Sequence, residues 1–129
     1  MSLQTPLAHA RGLGTAKRGV GHWWWQRLTA LALVPLTFWF VGSIVAMIMK
    51  GSDYSAVVAW IQSPIVSVLL IVLIASLFYH AQLGVQVVIE DYVHSQWVKV
   101  TSLIMAQFFL VLLGLTAAIA VLKIALGAV

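Results

Sequence analysis

The chain has 129 residues, of which 63% are hydrophobic and 8% charged, and it carries a formal net charge of +4. A soluble domain of this size could not cover so much apolar surface with polar groups, so the composition excludes that class. The absence of cysteine excludes disulfides, thiolate metal sites and a thiol nucleophile. We therefore expect an all-α integral membrane protein.

The amino-terminal segment, residues 1–27, is predicted to lie on the cytoplasmic (or matrix) side. Its basic residues are Arg11, Lys17, Arg18 and Arg27. The next loop carries only Lys50, and basic segments stay on the cytoplasmic side, where we also place residues 90–99. The basic terminus does not imply nucleic acid, because it is explained as a topology signal that can also touch anionic lipid. Its long polar lead argues against a cleaved secretion signal.

The first membrane-spanning helix is predicted over residues 28–49, since about 20 helical residues cross the hydrocarbon layer. Pro35 lies inside it and is expected to kink it or loosen one turn. The three tryptophans at positions 23–25 are interpreted as an interfacial anchor. Arg27 is either a topology charge or a cation for an anionic group such as a haem propionate.

Two further spans are predicted in this single-domain chain, together with one short helix. Residues 54–62 are too short and too amphipathic to span, so we expect them to lie in the interface with Trp60 facing lipid. The second span is predicted over residues 64–89, beginning with the hydroxyl N-cap and proline of Ser63-Pro64. The third is predicted over residues 100–122. We find no internal repeat and no second domain in residues 1–129.

One face of the second span is small or polar. Helical residues advance by about 100°, so the step from His80 to Asp91 returns to within about 20° of the same direction. The stripe consists of Ser76, His80, Gly84, Val87, Asp91 and His94. Such a face is predicted to contact protein or a cofactor rather than lipid. Gly84 removes a side chain where a flat macrocycle would lie against the backbone.

His80 is the most informative residue, because residues 54–89 contain no charged side chain and ionisable groups inside a membrane are functional by default. Two interpretations have similar weight on spacing alone: a hydrogen bond that holds two helices together, or ligation of haem iron. A haem held by two imidazoles needs a second histidine at like depth. The other histidines, His9, His22 and His94, are predicted at or beyond the cytoplasmic surface. A partner subunit must then supply the second ligand.

Asp91 and Tyr92 end the same span. Taken alone, Tyr92 is explained as an aromatic-belt residue and Asp91 as a solvated acid. Because they share the helix with His80, a phenol and a carboxylate here can bind a quinone head group and handle its protons. One rival hypothesis is a small proton or cation transporter or channel subunit that uses His80 and Asp91, although residues 65–75 offer only Ser67 as a polar group. Another is an assembly protein whose stripe only packs helices.

The segment His80-Ala81-Gln82-Leu83-Gly84, continuing to Asp91-Tyr92, resembles the H-x3-G-x6-D-Y pattern of the smaller hydrophobic membrane-anchor subunit of succinate dehydrogenase, complex II. The lead-in, with Gly12-Leu13-Gly14, Lys17-Arg18 and the run from His22 to Ala30, is similar to alphaproteobacterial and mitochondrial-type members. The resemblance extends over nearly the whole chain, including its length and its three spans.

The resemblance implies a complex in which a flavoprotein subunit oxidises succinate, an iron-sulfur subunit relays electrons, and two anchor subunits hold haem b and reduce ubiquinone. This chain would have no succinate-oxidising activity of its own, and the larger cytochrome b anchor subunit would complete its bundle. His80 would be one axial haem ligand, and Arg27 would approach a haem propionate. Tyr92 would contact ubiquinone, with Asp91 beside it. The expected location is the bacterial inner membrane, with the amino terminus cytoplasmic.

Overall fold

The structure, a computed structural model, describes residues 16–128 of the backbone and the side chains from Val20 onward. This part of the chain forms four α-helices and no strand: α1 (Ala16–Met49), α2 (Tyr54–Gln62), α3 (Pro64–Tyr92) and α4 (Gln96–Ala125). Helices α1, α3 and α4 are each long and apolar enough to cross a membrane. The expected all-helical membrane fold is therefore confirmed. His9, Arg11 and the side chains of Lys17 and Arg18 lie outside the described residues.

Helix α1 begins at Ala16, more than three turns before the predicted span, and continues unbroken through Pro35. Hydropathy does not identify the first turns as part of a long helix, because they contain a histidine, a glutamine and basic residues. Helical structure there has a consequence for the site, because His22 and Gln26 then continue the face of the span on which Ala30 lies. Helix α4 likewise extends past both ends of the predicted residues 100–122.

Helix α2 lies between the first two spans and is held at its start by Asp53. The Asp53 carboxylate Oδ1 accepts hydrogen bonds from the Ala56 backbone N–H and from the Ser55 hydroxyl, each at 2.9 Å. These bonds favour the charged form, so they lower the pKa of Asp53, with the Ala56 N–H as the largest cause.

Trp60 is half-buried and packs against α1, a contact that the sequence does not predict. Its indole ring stacks on that of Trp39 in α1, with centroids 5.8 Å apart, and lies against Phe40 at 6.5 Å. Aromatic rings at these separations attract one another in addition to the area that they cover. Trp60 therefore joins α2 to the first span instead of anchoring it in lipid alone.

Ser63-Pro64 begins α3 at the predicted position, with proline in its first turn. The Ser63 hydroxyl, however, makes no capping hydrogen bond. Its backbone groups connect the two helices. The Ser63 N–H donates to the Trp60 carbonyl at 3.3 Å, and the Ser63 carbonyl accepts from the Ser67 hydroxyl at 2.8 Å. Ser63 therefore closes α2 and opens α3 with main-chain groups.

Helix α3 is the central helix, packed against both α1 and α4. It supplies three of the four buried residues in the described part of the chain, Ser67, Leu70 and Leu83, and α1 supplies the fourth, Thr29. Most large apolar side chains remain exposed on the outer surfaces of this row of helices. In a membrane those surfaces contact lipid or neighbouring subunits.

Candidate functional site

A cavity of about 540 Å³ opens between α1 and α3. Its lining residues are His22, Trp23, Gln26, Arg27 and Ala30 from α1, and His80, Gly84 and Val87 from α3. On each helix these positions recur at intervals of three or four residues, which places them on one face. Two of the residues proposed from the sequence, His80 and Arg27, are therefore brought to one site.

Both ring nitrogens of His80 have a neighbour on α1. The Nδ1 atom lies 3.0 Å from the Thr29 hydroxyl, and the Nε2 atom lies 3.4 Å from the amide nitrogen of Gln26. The first distance is that of an ordinary hydrogen bond, whereas the second is long. The bond to Thr29 is the contact expected if His80 holds two helices together. It uses one nitrogen and leaves the other on the side of Gln26, which lines the cavity.

Thr29 is itself anchored to the backbone of α1. Its hydroxyl lies 2.8 Å from the Trp25 carbonyl and 3.1 Å from the Gln26 carbonyl, and the residue is 7% exposed. A threonine that donates to a carbonyl in the preceding turn is common within helices. Here the same hydroxyl also meets His80, so the imidazole is tied to the main chain of the neighbouring helix.

Arg27 and two orphaned polar atoms form the polar part of the cavity wall. The Arg27 guanidinium lies 4.3 Å from the centroid of the Trp23 ring, a cation-π contact that restrains it without neutralising it. Nearby, His22 Nε2 and Gln26 Oε1 are buried and have no hydrogen-bond partner among the described residues. Buried polar atoms are normally paired, so these atoms indicate that a further polar group belongs at this wall.

Gly84 faces open space in the same cavity. A Cβ atom built on it would meet only the amide nitrogen of Gln26, at 3.9 Å, which is ordinary contact. The glycine is therefore not required by the packing of α1 against α3. Its missing side chain instead widens the cavity one turn from His80, as the sequence pattern indicates.

Asp91 and Tyr92 lie apart from this cavity. Both are exposed at the end of α3, with Tyr92 78% exposed, and neither contributes to the cavity lining. In the part of the chain that the structure describes, Asp91 does not share the cavity of His80. The phenol and the carboxylate stand where another protein surface can complete a site around them.

Three residues of the site are not identified by the sequence pattern: His22, Gln26 and Thr29. His22 is expected at the cytoplasmic surface, yet it lies on the same face of α1 as Gln26 and in the same cavity as His80. The available signal is the three-to-four-residue spacing of these polar side chains, which is visible once α1 is extended back to Ala16. Trp25, one of the three tryptophans interpreted as an interfacial anchor, also packs edge-on against Tyr79 of α3, with the ring centroids 5.8 Å apart.

Within residues 16–128 no three histidine, aspartate, glutamate or cysteine side chains gather as a metal site. A metal held by His80 must therefore bring its remaining ligands from elsewhere. Haem iron meets this condition, because the porphyrin supplies four ligands and the protein only the axial ones.

Comparisons with known proteins agree on one family. Residues 1–114 match the family model described as succinate dehydrogenase/fumarate reductase transmembrane subunit. The chain is 35% identical over 106 residues to the succinate dehydrogenase hydrophobic membrane anchor subunit of Rickettsia bellii, covering 82% of this chain and 83% of the relative. The Rickettsia conorii protein of the same name is 32% identical, covering 80% and 81%.

A relative from another lineage is more distant. The succinate dehydrogenase membrane anchor subunit of Reclinomonas americana is 29% identical over 93 residues, covering 70% of this chain and 77% of its own length. No solved structure matches the chain significantly.

Proposed function

The chain belongs to the family of succinate dehydrogenase/fumarate reductase transmembrane subunits, and we propose that it is the membrane-anchor subunit of a succinate dehydrogenase that binds haem b between its α1–α3 cavity and a partner subunit. In this proposal His80 is an axial ligand of the haem iron. The observation that carries it is the cavity between α1 and α3, in which an imidazole, a guanidinium and a side-chain-free glycine lie together.

The residues of the cavity fit a haem in three ways. His80 has one ring nitrogen bonded to Thr29 and the other on the cavity side, as metal-bound histidines require. Gly84 leaves space next to it, into which a larger side chain would project. Arg27 offers a cation, and His22 an orphaned buried nitrogen, for the anionic edge that a haem presents through its propionates.

The second axial ligand is proposed to come from the larger cytochrome b anchor subunit. His22 is the other histidine in the cavity, but it precedes Thr29, the contact of His80, by seven residues, or about 10 Å along the helix axis. With that offset, His22 would not face His80 across a bound haem, and it would be better placed to contact a propionate. The flavoprotein and iron-sulfur subunits complete the proposed complex, in a bacterial inner membrane with the amino terminus of this chain cytoplasmic.

Each residue of the cavity has a distinct role in this proposal. A bound haem would supply a one-electron carrier inside the membrane. His80 would bind it, and Arg27 would neutralise a propionate that would otherwise be costly to hold near hydrocarbon.

Tyr92 and Asp91 are proposed to take part in a ubiquinone site that the iron-sulfur and larger anchor subunits complete. The support is their exposure at the end of α3, on the helix that carries His80. The Tyr92 phenol would donate a hydrogen bond to a quinone carbonyl and polarise it as electrons arrive. Asp91 would orient that phenol or exchange protons with water.

The haem proposal is tested by the absorbance spectrum of the purified complex. We expect a b-type band in the wild-type complex and its loss in His80→Ala, because one axial ligand is removed. His94→Ala is the matched control: it removes an exposed histidine beyond α3 and should leave the band unchanged. An unchanged spectrum in His80→Ala would refute haem ligation by this residue.

The quinone proposal is tested separately by Tyr92→Phe. We expect ubiquinone reduction to fall, while succinate oxidation with an artificial acceptor stays intact, because only the hydrogen bond to the quinone is removed. Tyr54→Phe is the matched control, since Tyr54 is 73% exposed at the opposite end of the bundle. Equal loss of both activities in Tyr92→Phe would count against the role.

A further inference from the structure

We infer that Thr29 is a positioning residue for His80, whose hydroxyl determines which imidazole nitrogen carries the proton and which remains free to bind metal. The inference rests on the proposed haem ligation and adds to it a specific partner on α1. It predicts that the reduction potential of a haem bound at His80 depends on the hydroxyl group of Thr29 and not on the size of the Thr29 side chain.

The first step follows from counting protons. A threonine hydroxyl has a single hydrogen, and two backbone carbonyls compete for it, at 2.8 Å from Trp25 and 3.1 Å from Gln26. With its hydrogen directed to the backbone, Oγ1 presents a lone pair to His80 Nδ1 at 3.0 Å. The contact is then a hydrogen bond only if Nδ1 carries the proton and donates it.

The opposite side of the ring agrees with this assignment. A neutral imidazole protonated at Nδ1 has its lone pair on Nε2. The neighbour of Nε2 is the amide nitrogen of Gln26, which can only donate, and its distance of 3.4 Å makes the bond weak. Nε2 is thus a free or lightly held acceptor at the cavity wall, which is the state in which imidazole binds a metal.

Burial makes the contribution of Thr29 difficult to replace. At 7% exposure within a membrane helix, the hydroxyl has no access to bulk water that could take its place beside Nδ1. A hydrogen bond from the distal ring nitrogen also raises the basicity of a metal-bound histidine. A more basic ligand favours ferric over ferrous iron, so the hydroxyl should lower the reduction potential of a haem bound at His80.

The test compares Thr29→Val, which keeps the shape but removes the hydroxyl, with Thr29→Ser, which keeps the hydroxyl. Both are made in the intact purified complex, and the midpoint potential of the haem is measured by redox titration. We expect Thr29→Val to weaken the preference of the site for ferric over ferrous iron roughly three- to tenfold. The midpoint potential should rise accordingly, since a tenfold change corresponds to about 59 mV for one electron. Thr29→Ser should restore a value near that of the wild type.

Thr116→Val is the matched control, because Thr116 makes the same kind of bond, from its hydroxyl to the Leu112 carbonyl at 2.7 Å, in α4 and away from His80. Its potential should equal that of the wild type. The inference is overturned if Thr29→Val retains haem at an unchanged potential, or if Thr116→Val shifts it equally. Should Thr29→Val lose its haem altogether, retention by Thr29→Ser supports the hydroxyl, and loss from both variants overturns the inference.

These outcomes are distinct from failure of the proposed function. A wild-type complex without a b-type band, or a band that survives in His80→Ala, would defeat haem ligation itself. A normal band that depends on His80 but is indifferent to the Thr29 hydroxyl would defeat only the role of Thr29.

Discussion

Helix α3 meets α1 through a polar contact around His80 and meets α4 mostly through apolar side chains, apart from Gln82, Gln86 and Gln107. The contact with α1 contains the bond between Thr29 and His80 and opens into a cavity of about 540 Å³. The contact with α4 is close, with Gly114 against Phe78. A groove of about 260 Å³ beside this contact is lined almost wholly by apolar side chains.

The two contacts use glycine for opposite purposes. A Cβ on Gly114 would approach three atoms of Phe78 within 3.2 to 3.3 Å, so this glycine permits close packing of two helices. A Cβ on Gly84 would meet a single amide at 3.9 Å, so that glycine preserves space. The α4 side is therefore built for association of the helices, whereas the α1 side keeps room for a group that the chain does not itself provide.

The largest effect is expected from Gly84→Leu, which fills the cavity without touching α4. Overpacking costs about 1–3 kcal/mol, and each 1.4 kcal/mol is about tenfold in affinity, so the affinity for haem should fall roughly five- to 150-fold, and the haem content per flavoprotein subunit should fall with it. The measurement is the ratio of haem to flavin in the purified complex. A normal ratio in Gly84→Leu would mean that the haem does not use this space.

A smaller effect, on stability instead of haem content, is expected from Gly114→Ala. The added methyl meets Phe78 at its Cβ, Cγ and Cδ2 atoms, which lie near the backbone and cannot easily move, so overpacking should cost about 1–3 kcal/mol. Thermal unfolding of the complex measures it, and Phe78→Leu in the same chain should recover part of the loss.

Gly84→Ala is the matched control for Gly114→Ala. Alanine is favoured over glycine within a helix by roughly 0.5–1 kcal/mol, and no close neighbour opposes it at position 84. In the complex depleted of haem, the same substitution should therefore leave the unfolding temperature unchanged or raise it at position 84, where α3 meets α1, and lower it at position 114, where α4 meets α3. Equal destabilisation at both positions would contradict the contrast between the two faces.

The membrane fold could be predicted from the sequence because its physical basis is local. Three apolar runs of spanning length, separated by charges, admit little besides three helices. The start of α1 could not be located in this way, since residues 16–27 are helical without being apolar and hydropathy does not detect them. The position of Trp60 could not be predicted for a related reason: its partner, Trp39, is distant in sequence, and nothing near Trp60 indicates the stacking.

The site was predictable on α3 but, apart from Arg27, not on α1. The stripe containing His80 and Gly84 follows from the period of one helix, and the structure brings Arg27 to it. The partners of His80 on α1, however, depend on how the two helices are shifted along their axes relative to each other. The residue spacing within one helix carries no information on that shift. Tyr92 and Asp91 show a third situation, because their proposed site requires surfaces of other subunits.

The smallest effect is expected at the far end of the bundle, in α2. This short helix packs on α3 and α4, and its Trp60 stacks on Trp39 of α1. Asp53→Ala removes the acceptor for the Ala56 N–H, so hydrogen exchange of the first α2 amides should accelerate severalfold. The amides of α3 should be unaffected, since no side chain of the α1 contact is changed. Asp53→Asn keeps a capping oxygen and should exchange nearly as the wild type does.

The protection of the first α2 amides should also depend on pH. The pKa of Asp53 is lowered by its bonds to Ala56 and Ser55, so the carboxylate cap contributes fully above the ordinary value of 3.8 and is lost as the pH falls through the lower, folded value. Wild-type α2 should therefore lose protection relative to Asp53→Asn only in that acid range. Loss of protection near neutral pH would mean that a group other than Asp53 stabilises the start of α2. If the amides of α3 lost protection together with those of α2, the contacts of α3 with α1 and with α4 would not be independent.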